Sequence, residues 1–253
     1  MTLTPEQRDE IGRNLDQVVA RISQERRHRS AYDARQLTEY FQSSPINNVD
    51  LDNLIRRCEN FSQLNIRGKQ MSSDTKDKFY NIFEMFDNVF FWGLLTRRVR
   101  TSGSQSNLPL VRLKFRAYNH PDFPPYTLGV TDWDSNSSIT LSPTISIFAL
   151  DSRLRVNRSG WHMITTLVHE MCHAYLGLFA DERAPGHHEW VRQNHGSMFW
   201  QCLHFIFLTL AKHSRLQSIR DCLKEVCKDA RYKGYSGLPV YLNYDTLEIA
   251  RNR

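Results

Sequence analysis

Cysteine is scarce in this chain, with five among 253 residues, and no two of them stand in a Cys-x-x-Cys pair. That excludes a zinc ribbon and a disulfide framework, and an odd number of thiols points to a reducing compartment. Long apolar runs are also missing. The start, Met1 to Glu6, has no apolar segment of the kind that directs secretion. The most apolar stretch, Met198 to Ala211, contains Gln201 and His204 and is too short to span a bilayer. The expectation is a nuclear or cytoplasmic protein, neither secreted nor membrane-bound. Internal repeats and low-complexity tracts are absent, and 40% hydrophobic with 24% charged residues is ordinary for a globular protein. One further absence is local: no acidic residue occurs from Asn88 to Pro121, while Arg97, Arg98, Arg100, Arg112, Lys114 and Arg116 all fall inside.

What is present centres on His169-Glu170-Met171-Cys172-His173. Residues four apart on a helix lie about 40° apart on one face, so His169 and His173 can grip one ion. Glu170 then projects beside that ion, positioned to take a proton from an attacking water. The flanks support a helix: Trp161, Ile164, Leu167, Val168, Met171, Ala174, Tyr175 and Leu178 recur at threes and fours. Ser159 is the expected N-cap, with the helix running from about residue 160 to about residue 177. Two imidazoles and a carboxylate are costly on such an apolar element unless something pairs them.

A catalytic zinc takes three protein ligands and keeps a fourth position open. Downstream candidates are His187, His188 and His195, with Glu182 and Glu189 as carboxylates. His195 is favoured because it precedes Gly196 and a second apolar helix ending near His213, where a rigid helix start can hold a ligand. Glu189 is the main alternative, since some zinc peptidases use a glutamate from a following helix. His187 and His188 follow Pro185-Gly186, which reads as a surface turn.

The chain divides into three parts. Residues 1–72 read as a helical N-terminal extension: Thr4 and Gln7 form a capping box, followed by a stripe of Ile11, Leu15, Val18, Val19 and Ile22. Arg26-Arg27-His28-Arg29 closes that helix, and shorter helices are expected over 31–41 and 50–61. Residues 73–215 hold the histidine motif, and 216–253 an amphipathic helix (Ile219, Leu223, Val226, Ala230) with a tail. In the middle part Val111, Leu113 and Phe115 alternate with Arg112, Lys114 and Arg116, a strand with one apolar and one basic face. Shorter strands are expected over 126–132 and 138–142, joined at Asp134-Ser135-Asn136. Helices around a small antiparallel sheet give an α+β fold.

His169-Glu170-Met171-Cys172-His173-Ala174-Tyr175, followed by His195-Gly196-x-x-Phe199, resembles the SprT-like (Spartan-type) zinc metalloproteases. Asn88 to Leu95, Leu128-Gly129-Val130 and Ile139-Thr140-Leu141-Ser142 also look like segments of that family, in the same order, so the likeness covers roughly residues 75–215. The resemblance implies a zincin-like fold, one Zn2+ on His169, His173 and His195, and Glu170 as general base. It further implies proteolysis of proteins crosslinked to DNA. The net charge of +6 favours a polyanionic partner, and Arg112, Lys114 and Arg116 are the candidate contacts to single-stranded DNA, with Phe91, Trp92 and Trp133 as aromatics able to stack on bases. The expected function is a zinc endopeptidase acting on a protein substrate. The competing reading is a DNA-associated adaptor with a structural zinc, which has no need of the carboxylate at Glu170.

Overall fold

The computed structural model describes residues 3–22, 32–64, 71–100, 107–116, 127–133, 143–148, 150–151, 156–157, 159–181, 183–184, 195–214 and 216–235. Four helices come first: α1 (Pro5–Ile22), α2 (Ala34–Ser43), α3 (Asn48–Ser62) and α4 (Ser73–Phe90). Strands β1 (Arg98–Arg100), β2 (Asn107–Pro109), β3 (Arg112–Arg116), β4 (Gly129–Asp132), β5 (Thr144–Phe148), β6 (Leu150–Asp151) and β7 (Val156–Asn157) follow. Helices α5 (Gly160–Phe179), α6 (Ser197–His213) and α7 (Gln217–Tyr232) complete the order. The helix starts are chemically defined. Thr4 and Gln7 exchange side-chain and backbone hydrogen bonds, Asp33 and Gln36 do the same, and Ser72 and Ser159 accept from Thr75 and His162.

The fold is mixed helix and sheet, as α+β requires, but the sheet is not purely antiparallel. Its order is β3-β5-β4, with β5 parallel to β3 and antiparallel to β4. The expected arrangement is corrected because the central strand is β5, Thr144-Ile145-Ser146-Ile147-Phe148, which is buried along its whole length. Thr144 and Ser146 alternate with Ile145 and Ile147, but both sets are buried, so the polar positions do not mark a solvent face. The strand expected over 138–142, the turn at 134–136 and the basic run at 26–29 lie outside the described residues.

One hydrophobic core runs through all the helices and through strands β3 and β5. The N-terminal helices, an extension in sequence, supply part of it: Leu15, Leu37, Phe41, Leu51, Leu54 and Phe61 are buried in the same cluster as Leu167, Met171 and Phe207. Tyr175 Oη donates to the Leu37 carbonyl (3.4 Å), and a Cβ on Gly160 would stand 2.8 Å from the Phe61 carbonyl oxygen, so α3 crosses the start of α5 at backbone contact. Among the described residues, no helix is long and apolar enough to cross a membrane.

The turn after α4 is held by a buried carboxylate. Asp87 accepts from the Leu95 and Thr96 amides at 3.0 and 2.7 Å and from the Thr96 hydroxyl at 2.6 Å. These bonds stabilise a turn in which Trp92 and Gly93 both have left-handed backbone, φ 55° and 70°.

Candidate metal centre

α5 carries His169 and His173 one turn apart, and α6 begins just after His195. The His195 backbone is left-handed, φ 61°, a conformation that costs a non-glycine residue about 1–3 kcal/mol and clusters at functional sites. The bend brings His195 Nε2 to 2.9 Å from His169 Nε2, and one ligand nitrogen from each of His169, His173 and His195 lies within 4.8 Å of the others. Nitrogens bound to one tetrahedral zinc stand about 3.3 Å apart, given bonds of about 2.0–2.1 Å. The three imidazoles therefore fit a single metal ion. Glu182, His187, His188 and Glu189, the other ligand candidates, lie outside the described residues.

Phe199 explains how rings from α5 and from the bend before α6 converge. Its ring centroid lies 4.4 Å from that of His173, nearly parallel, 4.6 Å from His195 and 4.8 Å from His169. One phenyl group thus forms the floor beneath all three imidazoles. Trp200 flanks His195 at 5.4 Å, and His195 Nδ1 is buried without a hydrogen-bond partner among the described residues.

The electrostatics favour metal-binding forms. Burial holds His169 well below the usual imidazole range, with His173 and His195 adding repulsion. Burial also lowers His173 to about 3, helped by His195, and His195 to about 4, helped by the charge of Lys233. All three are neutral near pH 7, the state that offers a lone pair to a cation. Cys172, between the two α5 histidines, is fully buried and its thiol is pushed well above its ordinary value, so it does not compete as a thiolate.

Glu170 is 5% exposed. Burial raises its carboxyl to about 7, against the hydrogen bonds from Thr131 that lower it. Thr131 Oγ1 lies 2.8 Å from Glu170 Oε2 and 3.0 Å from the Glu170 carbonyl, so β4 clamps the carboxylate at side chain and backbone. β4 approaches this closely because residue 129 is glycine. A Cβ there would lie 2.5 Å from Thr166 Cγ2 and 3.0 Å from Glu170 Cγ. Sequence reasoning missed Thr131 and the role of Gly129, although a glycine inside a strand is itself a signal of close approach.

The basic strand is placed elsewhere. β3 ends the sheet on the side opposite β4, with β5 between them. Lys114 is exposed, whereas Arg112 and Arg116 are half-buried, with Arg112 Nε buried and Arg116 Nε donating to Ser146 Oγ at 3.3 Å. Of the candidate stacking aromatics, Phe91 is buried, Trp92 packs on Tyr40 with centroids 4.6 Å apart, and Trp133 is 37% exposed.

No family model, curated protein or solved structure matches this chain.

Proposed function

We propose that this protein is a zinc-dependent endopeptidase of the SprT-like (Spartan-type) kind with a zincin-like catalytic layout. The observation that carries the reading is the convergence of three neutral imidazoles beside a buried carboxylate that is fixed by a strand. A histidine-only set suits zinc, and a site built only for structure has no use for Glu170. When bound, zinc would supply Lewis acidity, activating water and polarising the peptide carbonyl. Thr131 holds Glu170 Oε2, and the Glu170 carboxylate takes the proton of the attacking water and delivers it to the departing amine nitrogen. Burial keeps that carboxyl poised near neutrality, where it can both accept and return a proton. β4, at the end of the described strand order, offers its edge to an extended peptide chain alongside the helix.

The finer reading is that the protein substrates are attached to DNA. Its support is the net charge of +6 and the acid-free segment around β3, which favour a polyanion.

The test joins metal analysis to proteolysis. Wild type should hold one zinc and cleave denatured protein, with single-stranded DNA present or absent. Glu170→Gln should keep zinc and fold but lose turnover, because an amide cannot take the proton. A Glu170→Gln protein that still cleaves would remove the general-base role. Full zinc with no cleavage of any protein by wild type would favour an adaptor with a structural metal.

A further inference from the structure

His169, His173 and Gly177 follow one another at intervals of four along α5, so the metal-bearing face continues one turn beyond His173 to a residue with no side chain. That turn is occupied by an indole. A Cβ on Gly177 would stand 2.3 Å from Trp133 Cζ2 and 2.8 Å from Cη2, so Trp133 lies flush on the helix where any other residue would exclude it. Trp133 follows β4, and alternation along the strand turns Gly129, Thr131 and Trp133 toward α5 together. The first two meet Glu170 and the third meets Gly177. A seated tryptophan would ordinarily be covered, yet this one is 37% exposed.

Resting on the proposed peptidase reading, we infer that Trp133, seated on Gly177, is a specificity platform that receives a large apolar side chain of the substrate. Four residues of helix rise about 6 Å, and an extended chain rises about 3.3 Å per residue, which places that side chain about two residues from the cleaved bond. A flat apolar surface bordered by a glycine suits an aliphatic or aromatic group. Its neighbour in the chain is the exposed Asp132, which repels phosphates, and the cations of β3 lie on the far edge of the sheet. The platform is therefore built for peptide and not for a nucleobase.

The experiment uses full-length protein and a peptide series varied from Ala to Leu and Phe at each position around one cleavage site. Cleavage is followed for wild type, Trp133→Ala, Trp133→Phe and Gly177→Ala. Binding of the same peptides to Glu170→Gln, alone and combined with Trp133→Ala, is followed by fluorescence anisotropy. At one position Leu and Phe should exceed Ala by about tenfold or more in kcat/KM, and Trp133→Ala and Gly177→Ala should abolish that preference while metal content stays unchanged. Trp133→Phe should keep part of it. If wild type cleaves and Trp133→Ala retains the full preference, the platform is refuted and the peptidase reading stands. If wild type cleaves nothing, the peptidase reading fails. The platform is then judged by binding alone: loss of apolar-peptide affinity on Trp133→Ala supports it, and unchanged affinity overturns it. Loss of single-stranded DNA binding with peptide binding intact would also overturn it, because the indole would then serve a base.

Discussion

The contact between Gly129 and α5 sets the position of Glu170, and adding one methyl group there should separate catalysis from metal binding. In Gly129→Ala the new Cβ would stand 2.5 Å from Thr166 Cγ2, where ordinary contact needs at least 3.4 Å, so about 1 Å of movement is required. Thr166 cannot easily turn away, because its hydroxyl donates to the His162 carbonyl at 2.7 Å and its β-branched side chain is stiff in a helix. β4 is tied in register to β5, Gly129 opposite Ile147 and Thr131 opposite Ile145. The displacement therefore falls on the separation of β4 from α5 and on Glu170, whose Cγ and Oε1 lie 3.0 and 3.1 Å from the added carbon.

Overpacking of this kind costs about 1–3 kcal/mol. For a chain of this size that lowers Tm by about 2–12 °C. A misplacement of about 1 Å costs roughly a hundredfold in rate, so kcat should fall about that much with zinc stoichiometry kept. The control is Gly129→Ala combined with Thr166→Ser, which deletes the clashing methyl and keeps the hydroxyl. That pair should recover much of the Tm and part of the kcat, a non-additivity expected only of groups in contact. Wild-type Tm and kcat in Gly129→Ala would refute the reasoning, and failure of Thr166→Ser to rescue would show that the strain lies elsewhere.

Three other outcomes follow from particular groups. In metal-free protein, His195→Gly should be more stable than His195→Ala by about 1–2 kcal/mol, because only glycine accepts the left-handed backbone without cost; denaturant titration in chelator decides, and equal stability would remove the strain argument. Burial raises the Asp87 carboxyl to about 6, above its unfolded value, so its contribution to stability is complete below about pH 4 and is lost as pH rises through 6. The stability of wild type relative to Asp87→Asn should thus fall by about 2 kcal/mol between pH 4 and pH 7, and a flat difference would contradict it. Changing Arg112, Lys114 and Arg116 together to Ala should weaken single-stranded DNA binding and flatten its salt dependence with zinc content intact; identical affinities across a salt series would leave β3 a solvated edge.

The parts of the molecule legible in the sequence are those governed by short-range rules. α5 begins at the Ser159 cap and extends to Phe179, two residues past the expected end, and α6 ends at His213 as its apolar pattern indicates. Ile219, Leu223, Val226 and Ala230 are the buried face of α7. The sheet was less legible. β5 alternates Thr144 and Ser146 with Ile145 and Ile147 over only a few residues, and its parallel pairing with β3 is a long-range choice that no local pattern records. The basic face of β3 reads from sequence as three equivalent cations, yet Lys114 is exposed while Arg112 and Arg116 are half-buried, Arg116 being drawn to Ser146 of the neighbouring strand. Within the site, His169, Glu170 and His173 could be named from spacing, and His195 is favoured over Glu189 for its place before Gly196 and a helix start. Thr131 could not be named, because a threonine in a strand is ordinary until a carboxylate lies against it.

The geometry of the candidate metal centre is a property of the whole core. Two of its imidazoles ride on α5, but the third depends on where α6 sits, and Phe199 on α6 touches all three rings. α6 is in turn seated by the N-terminal helices: Thr38 of α2 lies 3.6 Å from Cys202, and Phe41 meets Phe205 with centroids 5.5 Å apart. Phe41 also packs on Tyr175 of α5, at 5.7 Å, so a single phenylalanine braces both α5 and α6. Cores of this density transmit displacement instead of absorbing it. A cavity at Phe41 would therefore let α5 and α6 shift against each other and spread the imidazoles, although no atom of Phe41 takes part in the centre itself.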